Sequence, residues 1–119
     1  MDLTPQRIAE AFSGHHFALA FPYLLDGIVW NNVGGEFIEG QDAVIHTCEQ
    51  SAHYLQTVTT TFKKFHIIVG DDTVVVDSLA DYMDADQAII TVASCDIYQF
   101  KNRQVSEITS YTVEVKQNG

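Results

Sequence analysis

Positive charge is scarce in this chain. It has six Lys plus Arg against sixteen Asp plus Glu, a formal net charge of −10. Cationic contacts to phosphate dominate nucleic-acid affinity, so no DNA or RNA partner is expected. The same shortage argues against anionic membrane surfaces. Cysteine is scarce too: Cys48 and Cys95 lie far apart and form neither a C-x-x-C pair nor a zinc spacing. Both sit in apolar surroundings, where buried free thiols are the default. Long Pro-, Ser- or Gly-rich tracts are missing, which leaves no linker. No apolar run reaches the roughly 20 residues that a bilayer-spanning helix needs. The opening MDLTPQRIAEAF alternates charged and apolar residues, unlike a secretory leader, and no Asn-x-Ser/Thr sequon occurs. A cytoplasmic protein is the simplest expectation.

What is present suits one globular domain spanning residues 1–119. A chain of this length buries roughly two-thirds of its unfolded surface and holds a core unaided. Hydrophobic residues make up 46%, too many for a disordered chain. The acidic balance fits a neutral or weakly polar ligand, or serves only to keep the protein soluble.

Local chemistry marks the elements. Thr4 followed by Pro5 reads as a helix start, with Ile8, Ala11 and Phe12 on one face and Gly14 at the end. A second short helix is expected from about His15 to Tyr23, with Pro22 near its end. Asp26-Gly27 is a turn signal, and Ile28, Val29 and Trp30 suggest a short strand. In QDAVIHTCEQSAHYLQ, Val44, Cys48, Ser51 and Leu55 fall on one helical stripe. From Val58 onward the chain turns rich in Thr, Val, Ile, Phe and Tyr. Polar breaks at Gly70-Asp71-Asp72, Asp84-Ala85-Asp86 and Lys101-Asn102-Arg103 divide it into four long hairpin-connected strands. The order α-α-β-α-β-β-β-β lacks the helices a doubly wound parallel sheet needs between its last strands. The expected class is α+β: a curved antiparallel sheet wrapped as a cone around the helices, its open end a place for a small-molecule pocket.

This order of elements, with the segments DGIVWNNVGGEFIEGQDAVI and CDIYQFKNRQVSEITSY, resembles the SnoaL-like group of the nuclear transport factor 2-like (cystatin-like) superfamily. The resemblance covers nearly the whole chain. It implies that fold, a pocket for a small apolar molecule and often a homodimer. It also implies that any activity would be of isomerase, cyclase or lyase type and independent of a cofactor. In the ketosteroid isomerase branch a general-base Asp lies on the first strand, and an ungapped count puts that position at Asn31, which has no carboxylate. The same count puts that branch's oxyanion-hole Tyr at Arg7. Its third residue, a late-strand Asp, matches Asp96. The polyketide cyclase branch keeps an acid/base Asp on the last strand, where this chain has Thr109, Ser110 and Thr112. The Asp-Arg-Asp set of the limonene epoxide hydrolase branch has no counterpart.

Asp96 is the candidate catalytic residue. In a regular strand it shares a face with Val92, Ser94, Tyr98 and Phe100, and burial there would raise its pKa. Its competing place is the solvent or dimer side of the sheet. Candidate ligand contacts are Asn31, Trp30, Tyr98, Arg7, His16 and Tyr82. Each competes with a packing, capping or solvated role. His46, Glu49 and His53 share a helix face, but the histidines stand two turns apart, about 10 Å, too far to share one ion. No metal is expected. Thr- and Ser-bearing alternation with Val and Ile in the last strands permits a homodimer through the outer face of the sheet. A non-catalytic binding module and an interaction protein remain open beside the enzyme.

Overall fold

The computed structural model describes residues 2–116. Helix α1 (Pro5–Ser13) starts as its first residues dictate: Thr4 is extended, and its Oγ1 accepts from the Arg7 N–H at 3.2 Å. The helix buries Ile8, Ala9, Ala11, Phe12 and Ser13. It ends in a Schellman closure, with His16 N–H donating to the Ala11 carbonyl at 2.8 Å and His15 N–H to that of Phe12 at 3.2 Å. The left-handed residue of this closure is His15 (φ 70°), not glycine. Glycine stands one position earlier, where a Cβ would lie 2.8 Å from the Glu10 carbonyl oxygen.

The second helix is shorter than expected. Helix α2 (Phe17–Ala20) tightens into a 3₁₀ turn over Phe21–Tyr23, as Pro22 requires. Strand β1 (Leu24–Asn32) is longer than expected and absorbs Asp26-Gly27, which is not a turn. There β1 runs from Leu24 to Val29 while its neighbour advances only from Val105 to Glu107, so the slack of this dipeptide becomes an irregularity. A three-residue strand not expected from the sequence, β2 (Phe37–Glu39), pairs antiparallel with β1. Helix α3 (Gln41–Leu55) follows Gly40, whose φ of 95° favours glycine. Val44 and Cys48 are buried on its apolar stripe, while His46, Glu49 and His53 are exposed.

The last four strands break where the polar turns place them: β3 (Thr59–Val69), β4 (Thr73–Met83), β5 (Ile89–Lys101) and β6 (Gln104–Val115). The six strands form one sheet in the order β2-β1-β6-β5-β4-β3. The α+β class holds, with one addition: the sheet is mixed, because β6 lies parallel to β1. Three hairpins carry β6 back across the sheet to the edge of β1 that β2 leaves open. On the inner face Leu24, Ile28, Val74, Val76, Tyr98, Val105 and Ile108 pack with Ile8, Phe12 and Val44 into the core. This core fills only part of the inner face.

Candidate functional site

Beyond the core the same strands line a cavity of about 640 Å³. Strand alternation dictates who faces it. On β5, Val92, Ser94 and Asp96 line the cavity, while Tyr98 and Phe100 continue into the core. Ser78 and Tyr82 come from β4, Ser110 and Thr112 from β6, and Trp30 and Asn32 from β1. Helix α1 contributes Phe12 and Ser13 across from them. On β3 a bulge between Phe62 and Lys64 shifts the alternation. Phe62 then lines the cavity and Phe65 packs on the core, with ring centroids 5.1 Å apart. Exposed Tyr54 and Ile90 mark the mouth.

Asp96 sits in this wall inside a closed set of hydrogen bonds. Ser110 Oγ donates to its Oδ1 at 2.6 Å and Ser13 Oγ to its Oδ2 at 2.8 Å. Trp30 Nε1 donates to Ser110 Oγ at 3.0 Å, and the Tyr98 hydroxyl is joined to Ser13 Oγ. Each serine has one proton, so donation runs inward from both sides: Trp30 to Ser110 to Asp96, and Tyr98 to Ser13 to Asp96. Register explains the meeting, since Ser110 pairs with Asp96 and also with Asn32 beside Trp30. Burial pushes the Asp96 carboxyl up from its ordinary value, and the bonds from Ser110 and Ser13 pull it partly back. The carboxyl keeps part of its surface open to the cavity, so it remains within reach of a ligand. Tyr98 is wholly buried, and its hydroxyl is raised far above the ordinary value, chiefly by burial and then by Asp96. It therefore stays protonated and acts as a fixed donor.

A second polar pair lies elsewhere in the wall. His15 Nε2 and Tyr82 Oη approach to 3.5 Å. The imidazole is set among Phe17, Phe62 and Tyr82, with ring centroids 5.8, 5.3 and 6.1 Å away. Burial, and then His16, hold His15 below its ordinary value, so it is neutral near pH 7. Burial, then Tyr54 and Asp96, raise Tyr82. The cavity wall holds two carboxylates, Asp96 and Glu36, and no Lys or Arg.

No protein-family model and no curated protein sequence matches the chain. Solved structures do. An NTF2-like protein of unknown function from Cytophaga hutchinsonii ATCC 33406 is 29% identical over 90% of this chain and 94% of its own, with a TM-score of 0.80. The chain belongs to the NTF2-like superfamily. An LEH-like epoxide hydrolase from M. tuberculosis shares the NTF2-like fold at 18% identity, covering 92% of this chain and 82% of its own, TM-score 0.68. A SnoaL-like protein from Shewanella putrefaciens CN-32 does so at 14%, covering 91% and 88%, TM-score 0.67.

Within this NTF2-like frame the expected site residues separate. Asp96, Trp30 and Tyr82 share the cavity wall. Asn31 does not, because alternation gives the inner face to Trp30 and Asn32. Tyr98 lies one step past Asp96 in the core and touches the site only through Ser13. Arg7 is exposed on α1, 3.4 Å from Glu10, away from the cavity. His16 is exposed and outside this wall, since the left-handed turn at His15 sends the first of the two imidazoles inward. Ser13, Asn32, Phe62 and Ser110 were not singled out from the sequence, and of the adjacent histidines His16 was chosen where His15 lines the wall. The hairpin register that sets Ser110 opposite Asp96 was a usable signal. For Ser13 there was none, since its meeting with Asp96 joins residues 83 positions apart.

Proposed function

We propose that the cavity takes a small, uncharged, largely apolar molecule and that Asp96 serves as its acid/base group, in chemistry of the isomerase, cyclase or dehydratase type. The observation that carries this is the Asp96 carboxyl: buried, raised in pKa, gripped by two serines and still facing the cavity. A wall with two carboxylates and no Lys or Arg disfavours anionic ligands. Trp30, Phe12, Phe62 and Val92 offer apolar contact to a ring system. That a protein of the same fold is described as an epoxide hydrolase supports a small-molecule reaction without fixing which one.

The test follows proton exchange at the carbon beside the carbonyl of a neutral bicyclic ketone in D₂O, read by NMR. The carboxylate takes the C–H proton, leaving an enolate, and returns a deuteron after exchange with solvent. Wild type is expected to speed the exchange, and Asp96→Asn to lose about 100-fold of that rate. An unchanged rate in Asp96→Asn would sink the acid/base role. The second reading is a binding module without turnover. It is favoured by the serine donors already engaging both carboxyl oxygens. Ligand binding with no exchange in the wild type would select it.

We also infer a homodimer through the outer face of the sheet, where Tyr111 and Val113 on β6 are 47% and 63% exposed. Val113→Glu is expected to lower the mass in solution from dimer to monomer; a wild-type monomer would refute the dimer. Among the described residues no helix is long and apolar enough to cross a membrane, and both cysteines are free thiols. The thiols support a reducing compartment such as the cytoplasm.

A further inference from the structure

We propose that His15 and Tyr82 form a second polar end of the cavity, a hydrogen-bonding site for an uncharged ligand oxygen (carbonyl, epoxide or hydroxyl) whose carrier reaches Asp96 at its other end. This rests on the reading of the cavity as a small-molecule site and adds what the molecule must carry.

Three observations support it. First, the left-handed position that closes α1 is the usual place of glycine, yet an imidazole stands there. The Schellman bonds come from backbone groups alone, so the cap does not require the ring. The same turn carries the ring into the cavity wall. Second, Asp96 and the His15–Tyr82 pair differ in spare capacity. Both oxygens of Asp96 already accept serine bonds. Among the described residues Tyr82 and His15 have only each other, at a long 3.5 Å. When His15 donates from Nε2 to Tyr82 Oη, the phenol proton is free to point at a ligand oxygen, and such contacts commonly shorten on binding. Third, the setting suits a neutral oxygen. Phe17 and Phe62 flank the imidazole, and no Lys or Arg lines the cavity to neutralise an anion. The two ends are distinct but near each other: Tyr82 pairs with Ile90, six residues along β5 from Asp96, while Asp96 raises Tyr82 and His15 stands two residues from Ser13, which donates to Asp96. A compact ring system bearing one oxygen bridges them.

The probe is a propionyl-substituted dimethylaminonaphthalene, a neutral ketone whose emission moves to the red when its carbonyl accepts a hydrogen bond. The parent dimethylaminonaphthalene, with the same rings and no carbonyl, is the reference. Wild type is expected to bind the ketone about tenfold more tightly than the parent, with the red-shifted emission. Tyr82→Phe, which keeps the ring, is expected to lose both the preference and the shift while still binding both probes. His15→Asn, a residue that tolerates the left-handed backbone, is expected to weaken the preference in part. A Tyr82→Phe protein that keeps preference and shift overturns the proposal. So does loss of the preference in Asp96→Asn with Tyr82→Phe unaffected, because the carbonyl then sits at Asp96. Equal binding of both probes by wild type overturns it and leaves the cavity reading standing. Binding of neither overturns both.

Discussion

The inner face of the sheet carries two different contents on the same strands. At one end Val76, Tyr98 and Ile108 are fully buried against α1 and α3. At the other, Ser78, Ser94, Ser110 and Thr112 stand at equivalent alternation positions around a cavity. The backbone is continuous and the periodicity identical, so the difference lies in side-chain volume and polarity. Large apolar groups fill the space and stabilise the fold. Small hydroxyl-bearing groups leave space and supply donors. Asp96 stands on the border between the two, next to the core yet open to the void.

That contrast predicts unequal responses to truncation. Ile108→Ala is expected to cost about 3–4 kcal/mol in urea unfolding, because it removes a fully buried side chain and leaves a hole. Thr112→Ala, in the cavity wall, is expected to change stability by less than about 0.5 kcal/mol. Similar losses at both positions would erase the distinction between core and cavity.

The border residue sharpens it further through pH. Below about pH 4 Asp96 is protonated in both folded and unfolded chains, so its burial costs no charge. As pH rises from there through its higher folded value, the unfolded chain releases the proton first and stability falls. Asp96→Asn is expected to flatten that decline. An unchanged pH profile would mean that the carboxyl is not buried as described.

His15 contributes with the opposite sign and a smaller effect. Above about pH 6.5 it is neutral in both states. As pH falls through that value the unfolded chain binds the proton first, so stability falls toward acid. His15→Asn is expected to remove this slope, measured by thermal unfolding between roughly pH 5 and 7. Persistence of the slope would assign it to another group.

Much of this was legible in the chain. Thr4-Pro5, the stripe of α3 and the three polar hairpin breaks give the elements through local chemistry. The alternation around Asp96 put Val92, Ser94 and Tyr98 on its face; Val92 and Ser94 share the cavity with it, whereas Tyr98, expected as a ligand contact, lies in the core. Reading failed where a single residue of phase decides a face. An ungapped count selected Asn31, but the strand turns Asn32 inward. A regular strand would put Phe62 and Phe65 on opposite faces; the bulge at Lys63 puts both inside. Of two adjacent histidines, backbone handedness selects His15.

By itself, then, the order of residues determined the α+β class, most of the element types and which residues share a strand face with Asp96, because these depend on contacts a few residues apart. The tertiary structure alone decided that β6 lies parallel to β1, that Ser13 and Ser110 close on Asp96, and that His15 meets Tyr82. The physical reason is separation: Ser13 and Tyr98 are 85 positions apart, and His15 and Tyr82 are 67. No local propensity couples residues that distant. Only packing the helices onto the curved sheet brings their polar atoms together.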